Sequence, residues 1–389
     1  MPHRRSEIAT GSPSAGESRA VTPQRAGTAM PLLFTRQRAK PSADATEPDR
    51  TVAPARPGVV NVRLHTGFTR CNFSCRYCIA GHGEATTDEF GDPVLDDPTW
   101  DEARLRRIVA NLCRLPYRLN VRLRVPGEIF LNKRLVRIAE EMTHADNIFS
   151  LNLLTNLSLM RHQYERILSG FDAQKLAIVA SYHPTEIRNE AAWLESARWA
   201  NARFDFAVIL VADPPLLATL EGNYRKLRAE GFSVFIQPYI GVYQGRVYPN
   251  SYSADERALV GGLMYSRHDL EFLLKLVKPG LCHAGANSFY VAEDGRVFPC
   301  GSNETDEIAN LAVSPLVRLH DGPGPCPFRT CQCDTDNMNT VVFASHYEMT
   351  GINQHKYRYR FDERARGDAR WSQWNVPYED DWLAELDTQ

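Results

Sequence analysis

The sequence predicts an α/β fold: a partial (β/α)6 barrel followed by a small, cysteine-rich domain that contains a β-hairpin. From Val59 onward, short apolar runs alternate with amphipathic stretches, which is typical of repeated βα units. Six such units fit before Gly280. A closed eight-stranded barrel alone needs about 250 residues, more than this span provides, so a partial barrel is predicted. Beyond it, Asp294-Gly295 between two extended runs indicates the hairpin.

The six predicted units follow one another along the chain. The strands are Val59–Leu64, Val121–Val125, Phe149–Leu154, Leu176–Ala180, Phe204–Val211 and Phe232–Pro238. A first helix is predicted after Asp97 as N-cap and Pro98 at its first position, with Leu105, Ile108, Val109 and Leu112 at helical spacing. The later helices are Arg134–Met142, Arg161–Leu168, Ala191–Ala200 and Asn223–Glu230.

Four regions are expected. Residues 1–58 are rich in Ala, Pro, Ser, Thr and Arg and are interpreted as a disordered tail, since their acidic residues argue against a transit peptide. Residues 59–280 form the partial barrel and residues 281–340 the cysteine-rich domain. Residues 341–389 form an aromatic and charged extension that packs over the hairpin domain, caps the barrel mouth or forms a dimer surface.

Composition limits the compartment and the partners. The 389 residues carry a formal net charge of −2, so the whole chain shows no nucleic-acid footprint. No apolar run reaches the length that spans a membrane, and no secretory signal is evident. Because the nine cysteines are clustered, they favour metal or redox use in the cytoplasm over disulfides.

One motif carries most of the functional information. Cys71, Cys75 and Cys78 have the spacing C-x3-C-x2-C and directly follow the first strand. Three thiolates on one loop can hold three corners of a [4Fe–4S] cluster, which leaves one iron without a protein ligand. A zinc site, with His82 nearby, and a ferredoxin-like cluster are the alternatives. The position at the carboxyl end of a first strand is where a barrel enzyme carries its chemistry.

These cysteines, with Tyr77 before the last of them, resemble the signature of the radical S-adenosylmethionine superfamily. The resemblance implies a [4Fe–4S] cluster whose open iron chelates the amino and carboxylate groups of S-adenosylmethionine. Reductive cleavage of that cofactor then yields a 5′-deoxyadenosyl radical. An electron donor such as flavodoxin or ferredoxin is implied as the protein partner.

The resemblance also suggests residues that contact the cofactor. Val125-Pro126-Gly127-Glu128-Ile129 matches in part the Gly-Gly-Glu-Pro turn that holds the methionine amino group in this family. An ordinary strand-to-helix turn is the alternative. The residues implied to bind the cofactor are Tyr77, Gly127, Glu128, Asn156, Ser181 for the ribose and Arg188 for the carboxylate. Cys113 and His183 are interpreted as structural residues.

A second cysteine group follows the barrel. Cys282 and Cys300 are expected at the two ends of the predicted hairpin, and Cys326, Cys331 and Cys333 lie downstream. This order resembles the twitch and SPASM extensions of the same superfamily, which implies one auxiliary [4Fe–4S] cluster of the twitch form. Four ligands from five cysteines leave one thiol spare among Cys326, Cys331 and Cys333. A structural zinc site on the hairpin is the alternative.

The predicted activity follows from these two centres. The radical is expected to abstract hydrogen from a small polar metabolite, such as a sugar or aminocyclitol, in natural-product biosynthesis. Oxidation follows if the auxiliary cluster accepts an electron, and epimerisation follows if the spare thiol returns a hydrogen atom. The alternatives are a maturase of a ribosomally made peptide and a non-catalytic iron–sulfur or zinc scaffold.

Overall fold

The computed structural model describes residues 59–78, 100–263, 281–282, 284–301, 303, 305–322 and 324–325. The helices are α1 (Glu102–Leu112), α2 (Lys133–Thr143), α3 (Arg161–Ile167), α4 (Glu190–Asn201), α5 (Leu217–Ala229) and α6 (Ala254–Gly262). The strands of the barrel are β1 (Val60–His65), β2 (Leu119–Arg124), β3 (Ile148–Thr155), β4 (Leu176–Tyr182), β5 (Asp205–Ala212) and β6 (Ser233–Pro238). The later strands are β7 (Gly241–Tyr243), β8 (Arg246–Tyr248), β9 (Leu281–Cys282), β10 (Ser288–Val291), β11 (Arg296–Phe298), β12 (Ala309–Asn310) and β13 (Gly324–Pro325).

Strands β1 to β6 form a parallel sheet in the order in which they occur along the chain. Helices α1 to α5 lie between them in sequence, so each pair of strands is joined by a crossover connection. Strand β6 ends the sheet on one side, and β1 pairs with β10 on the other. The predicted open arrangement of six βα units is confirmed.

The sheet has two differently packed faces. On one face, Val62 and Leu64 belong to the large core that also contains Ile108 of α1 and Ile138 of α2. These four side chains are at most 2% exposed. The other face carries a second, smaller apolar cluster, which consists of Val59, Ala177, Val179, Ala207, Ile209 and Phe235. We call this second face the inner face, because the helices pack on the opposite side.

Two predicted helix starts are wrong. Helix α1 begins at Glu102, and Asp101 is its N-cap, with Oδ1 accepting from Arg104 N at 2.9 Å. The predicted cap, Asp97, lies outside the residues that the structure describes. Helix α5 begins at Leu217 and not at Asn223, because burial of its first-turn leucines outweighs the low helix propensity of a glycine in its middle.

The predicted hairpin is confirmed and continues the barrel sheet. Strands β10 and β11 pair antiparallel, and Gly295 turns between them with φ of +93°. A Cβ at this glycine would lie 2.7 Å from Ala312 N, so both the conformation and the space require glycine. Because β10 pairs parallel with β1, the hairpin adds to the sheet that carries the first cysteine motif.

Among the other cysteines, Cys113 is the C-cap of α1 and packs against the core. Burial raises the pKa of its thiol to about 11, which agrees with the structural role predicted for it. The backbone of Cys282 pairs with Gly324. Cys326, Cys331, Cys333 and the regions 1–58 and 341–389 lie outside the described residues. No helix in the described part of the chain is both long and apolar enough to cross a membrane.

Candidate functional site

The loop between β1 and α1 carries Cys71, Cys75 and Cys78 along the edge where the parallel strands end. We call residues 66–78 the cysteine loop. Its start is fixed by Phe68, which is fully buried, and by Trp100, whose Nε1 donates to Thr66 O at 3.0 Å. The rest of the loop is held by groups at the carboxyl ends of β2, β3, β4 and β5.

The first of these contacts joins the loop to the turn after β2. Gly127 N donates to Phe68 O at 3.3 Å, and Glu128 N donates to Arg70 O at 2.8 Å. A Cβ at position 127 would lie 1.9 Å from Arg70 O and 2.7 Å from Arg70 N. The predicted turn is therefore a place where two backbones touch, and only glycine leaves room for the residue before Cys71.

The second contact is made by the side chain of Glu128, which is 2% exposed. Its Oε1 accepts from Thr155 Oγ1 at 2.8 Å and from Phe130 N at 3.1 Å, and its Oε2 accepts from Asn156 N at 2.6 Å. Burial raises the pKa of this carboxyl to about 7, although the three donors oppose the shift. Glu128 thus ties the end of β2 to the end of β3.

Asn156 then continues this connection to the first cysteine. Its Nδ2 donates to Asn72 Oδ1 at 2.8 Å and lies 3.8 Å from Cys71 Sγ. Asn72 Nδ2 in turn donates to Ser158 Oγ at 2.9 Å, and Phe73 N donates to Cys71 Sγ at 3.5 Å. Two N–H groups therefore point at the sulfur of Cys71.

The third contact is made by His183 and Glu186, after β4. His183 Nδ1 lies 3.0 Å from Tyr77 Oη and 3.4 Å from Cys75 Sγ, and its ring stacks on Tyr77 with centroids 5.6 Å apart. Burial lowers the pKa of His183 to about 4, so the imidazole is neutral at pH 7. Glu186 Oε2 accepts from Ser74 N at 3.1 Å.

The fourth contact is an ion pair between Arg76 and Asp213, which follows β5. The Asp213 side chain is 1% exposed, and burial raises its pKa even though Arg76 opposes this shift. The Arg76 guanidinium also lies 5.2 Å from the ring centroid of Tyr243 in β7. The loop is therefore held between the barrel and the hairpin formed by β7 and β8.

The thiols of the cysteine loop and the N–H groups beside them suit an iron–sulfur cluster. Burial raises the pKa of the Cys71 thiol to about 11 and raises that of Cys75 as well, so both are protonated at pH 7 without a metal. A bound metal deprotonates coordinating thiols, and hydrogen bonds to the sulfurs are a normal part of such centres. Cys71 already has two donors. Within the described residues, no three Cys, His, Asp or Glu side chains converge on the position of a single metal ion.

The remaining predicted residues are spread around this edge. Tyr77 is buried, Ser181 is half-buried near the end of β4, and Arg188 is exposed beyond β4. Cys300 is half-buried and follows β11. Sequence reasoning did not identify Glu186 and Asp213 as anchors of the loop. Their position directly after β4 and β5 was the available signal, since parallel strands end at one edge of the sheet.

No protein-family model matches the chain, and no curated protein matches its sequence. The chain is similar to native anSMEcpe with bound AdoMet, with a TM-score of 0.44 and 13% identity over 77% of this chain and 88% of that chain. It is similar to BtrN in complex with AdoMet and 2-DOIA (TM-score 0.31, 16% identity, 66% of this chain and 79% of that chain). A selenomethionine BtrN structure in an open conformation gives a TM-score of 0.29 and 12% identity over 83% of this chain and 96% of that chain.

Replacing Gly127 with alanine should displace the residue before Cys71. The added Cβ meets the backbone of Arg70 at 1.9 Å, and overpacking of this kind costs about 1–3 kcal/mol of unfolding free energy. Urea denaturation measures this cost. The control is Gly222→Ala in α5, where a Cβ meets nothing within 4 Å, so stability should rise by up to about 1 kcal/mol. Equal stability of Gly127→Ala and wild type would contradict the close approach.

Glu128 should make stability depend on pH. Its folded pKa of about 7 lies above the usual 4.5, so the folded state binds an extra proton between these values. The free energy of unfolding then falls by roughly 3 kcal/mol from this group as pH rises from 4.5 to 7. Glu128→Gln cannot titrate at this position. The free energy of unfolding of wild type minus that of Glu128→Gln should therefore decrease as pH rises from 4.5 to 7. A difference that stays constant from pH 4.5 to 7 would show that the carboxyl does not titrate there.

Proposed function

We propose that this protein is a radical S-adenosylmethionine enzyme. The observation that carries the proposal is the cysteine loop, which places three cysteines of C-x3-C-x2-C spacing at the carboxyl end of β1. Four neighbouring strand ends hold this loop, and N–H groups point at the sulfur of Cys71. The active sites of barrel enzymes lie at this edge of the sheet.

Cys71, Cys75 and Cys78 would hold a [4Fe–4S] cluster with one open iron. When bound, the cluster and S-adenosylmethionine supply a 5′-deoxyadenosyl radical. Asn156 and the Phe73 N–H would stabilise the thiolate of Cys71, and His183 would hold Tyr77 against Cys75. Such contacts fix ligand geometry and tune a metal centre.

Gly127, Glu128, Asn156, Ser181, Arg188 and Tyr77 remain the proposed contacts of S-adenosylmethionine. Both oxygens of the Glu128 carboxylate already accept hydrogen bonds from the protein, so the role of this side chain is to position Asn156 and the turn. Pro126 and Gly127 of the turn and Ser181 are half-buried, and they are the groups near this edge that would face the cofactor.

The inner face would hold the substrate below the cofactor. Radical abstraction needs the reacting hydrogen close to the radical carbon, and a binding surface that excludes water supplies that position. The apolar cluster at Val179, Ile209 and Phe235 forms part of this surface. The proposed substrate is a small polar metabolite, and the outcome is oxidation or epimerisation.

A second metal centre is proposed for the later cysteines, Cys282, Cys300, Cys326, Cys331 and Cys333. The register of β9 and β13 supports this grouping, because Cys282 lies opposite Gly324, two residues before Cys326. Epimerisation would use a thiol that returns a hydrogen atom to the substrate radical, and an electron from the donor protein together with a proton would then restore the thiol. One cysteine among Cys326, Cys331 and Cys333 would be left for that role.

Iron and sulfide content after anaerobic reconstitution tests the proposal. A [4Fe–4S] cluster holds four irons, so about eight irons in wild type should fall to about four when Cys71, Cys75 and Cys78 are all changed to alanine. Under dithionite, wild type should also convert S-adenosylmethionine to 5′-deoxyadenosine, and this triple variant should not. The control is Cys113→Ala, which should keep both the iron and the cleavage because this thiol packs against the core.

Other results of these experiments would change the proposal in specific ways. If wild type holds about four irons and the triple variant holds none, the first cluster is present and the second is absent. Zinc in place of iron would favour the scaffold alternative. A reconstituted cluster without cofactor cleavage would overturn the proposed radical chemistry. Modification of a synthetic precursor peptide in place of a metabolite would identify the protein as a peptide maturase.

A further inference from the structure

The inner face carries an alternating polar pattern on its first two strands. Strand β1 reads Val-Asn-Val-Arg-Leu-His and β2 reads Leu-Asn-Val-Arg-Leu-Arg. In β1 the apolar residues are buried on the helix side, and the polar ones are half-buried on the inner side. The register pairs the two patterns row by row. The rows are Asn61 with Asn120, Arg63 with Arg122, and His65 with Arg124.

The deepest row is a satisfied network of amides. Asn120 Nδ2 donates to Asn61 Oδ1 at 2.9 Å, and Asn152 Nδ2 of β3 donates to Asn120 Oδ1 at 2.7 Å. Asn120 and Asn152 are 5% and 6% exposed. These hydrogen bonds join three uncharged side chains across three strands, and we call Asn61, Asn120 and Asn152 the asparagine floor. Asn152 itself is in register with Arg122.

The row above this floor is basic. Arg63 stacks near Tyr290 of β10, with its guanidinium carbon 5.9 Å from the ring centroid. Arg122 Nη1 is buried and has no hydrogen-bond partner among the residues that the structure describes. A buried guanidinium N–H without an acceptor is costly, since the group has lost water and gained nothing in return. This is the kind of donor that a bound anion satisfies.

The electrostatics of the next row agree with this positive character. The pKa of His65 is lowered to about 4, by burial first and then by the charges of Arg124 and Arg63. One carboxylate lies beside this row, since Glu293 Oε2 is 3.8 Å from His65 Nδ1. Among the described residues of β1 and β2, Arg63, Arg122 and Arg124 supply three positive charges and no acidic residue is present.

The other half of the inner face is apolar, at Ala177, Val179, Ala207, Ile209 and Phe235. The inner face therefore has a basic side on β1 and β2 and a hydrocarbon side on β4 to β6. It becomes more exposed toward the carboxyl ends of the strands, where Arg124 is exposed while Asn120 is buried. A ligand can enter from the edge that carries the cysteine loop.

On the basis of the function proposed above, we propose that the substrate carries a carboxylate or a phosphate that pairs with Arg122 and Arg63 on the inner face. Arg63 lies two residues before the end of β1, which places it about 7 Å below the carboxyl end of that strand. This depth separates it from the edge where the cofactor carboxylate would bind. The proposal narrows the substrate class, because an unmodified aminocyclitol carries amines and no anion.

Anion binding by the reconstituted full-length protein tests the proposal. Melting temperature is measured against inorganic phosphate and, separately, acetate, in wild type, Arg122→Gln, Arg63→Gln and Arg225→Gln. Arg225 is the control, because its side chain on α5 is 77% exposed. One of the two anions should stabilise wild type and the control. Its affinity should fall at least about tenfold in both inner-face variants, since an interaction with a buried charge is lost.

Two further readouts separate this role from a structural one and from cofactor binding. Without added anion, Arg122→Gln should melt no lower than wild type, because the wild-type Nη1 has no partner to lose. The affinity for S-adenosylmethionine should be the same in wild type and in Arg122→Gln. The anion that stabilises, phosphate or acetate, identifies which group the substrate carries.

Three results would overturn the proposal. Equal stabilisation of all four proteins by both anions would be a general salt effect. No stabilisation of wild type by either anion would remove the site. Parallel loss of S-adenosylmethionine binding in Arg122→Gln would assign the arginines to the cofactor carboxylate. The same titration on the triple cysteine variant, which lacks the first cluster, shows whether anion binding stands when the proposed radical chemistry fails.

Discussion

The candidate site depends on one buried carboxylate. Glu128 bonds through its backbone N–H to Arg70, directly before Cys71, and through its side chain to the end of β3. A carboxyl group this deeply buried is tolerated only when its oxygens are hydrogen-bonded, so each contact requires the others. Loss of the Asn156 N–H, the one donor to Oε2 given above, would leave that oxygen unpaired in the core. The position of the first cysteine is therefore coupled to the packing of two strands.

The parallel sheet explains why so many separate segments reach one loop. All six strands of the barrel end at the same edge, so residues that follow them meet there even when they are far apart in sequence. His183 and Asp213 follow different strands and contact the neighbouring residues Cys75 and Arg76. A loop held by several strand ends is pre-organised, which metal centres and radical chemistry both require.

The sequence was sufficient for some features and not for others. The strands were predictable because apolar runs of the right length alternate with helical periodicity, as at Leu176–Tyr182. The first turn of α5 was not predictable from the sequence, since only burial by tertiary packing makes the Leu217 region helical. The cysteines of the first motif could be identified from their spacing alone. The pairing of Arg76 with Asp213 could not, because the two residues are 137 positions apart and no local pattern connects them.

The arginines of the inner face are hard to explain as a device for folding. Strands β1 and β2 already bury their apolar residues against the helices, and a leucine at position 122 would bury without a desolvation cost. The asparagines beneath them are hydrogen-bonded from strand to strand. Arg122 Nη1, in contrast, is buried without a hydrogen-bond partner among the described residues, at a position that a ligand can reach from the edge of the sheet. Groups that break a local rule without compensation within the protein concentrate at functional sites, and an anionic ligand is the compensation that this geometry allows.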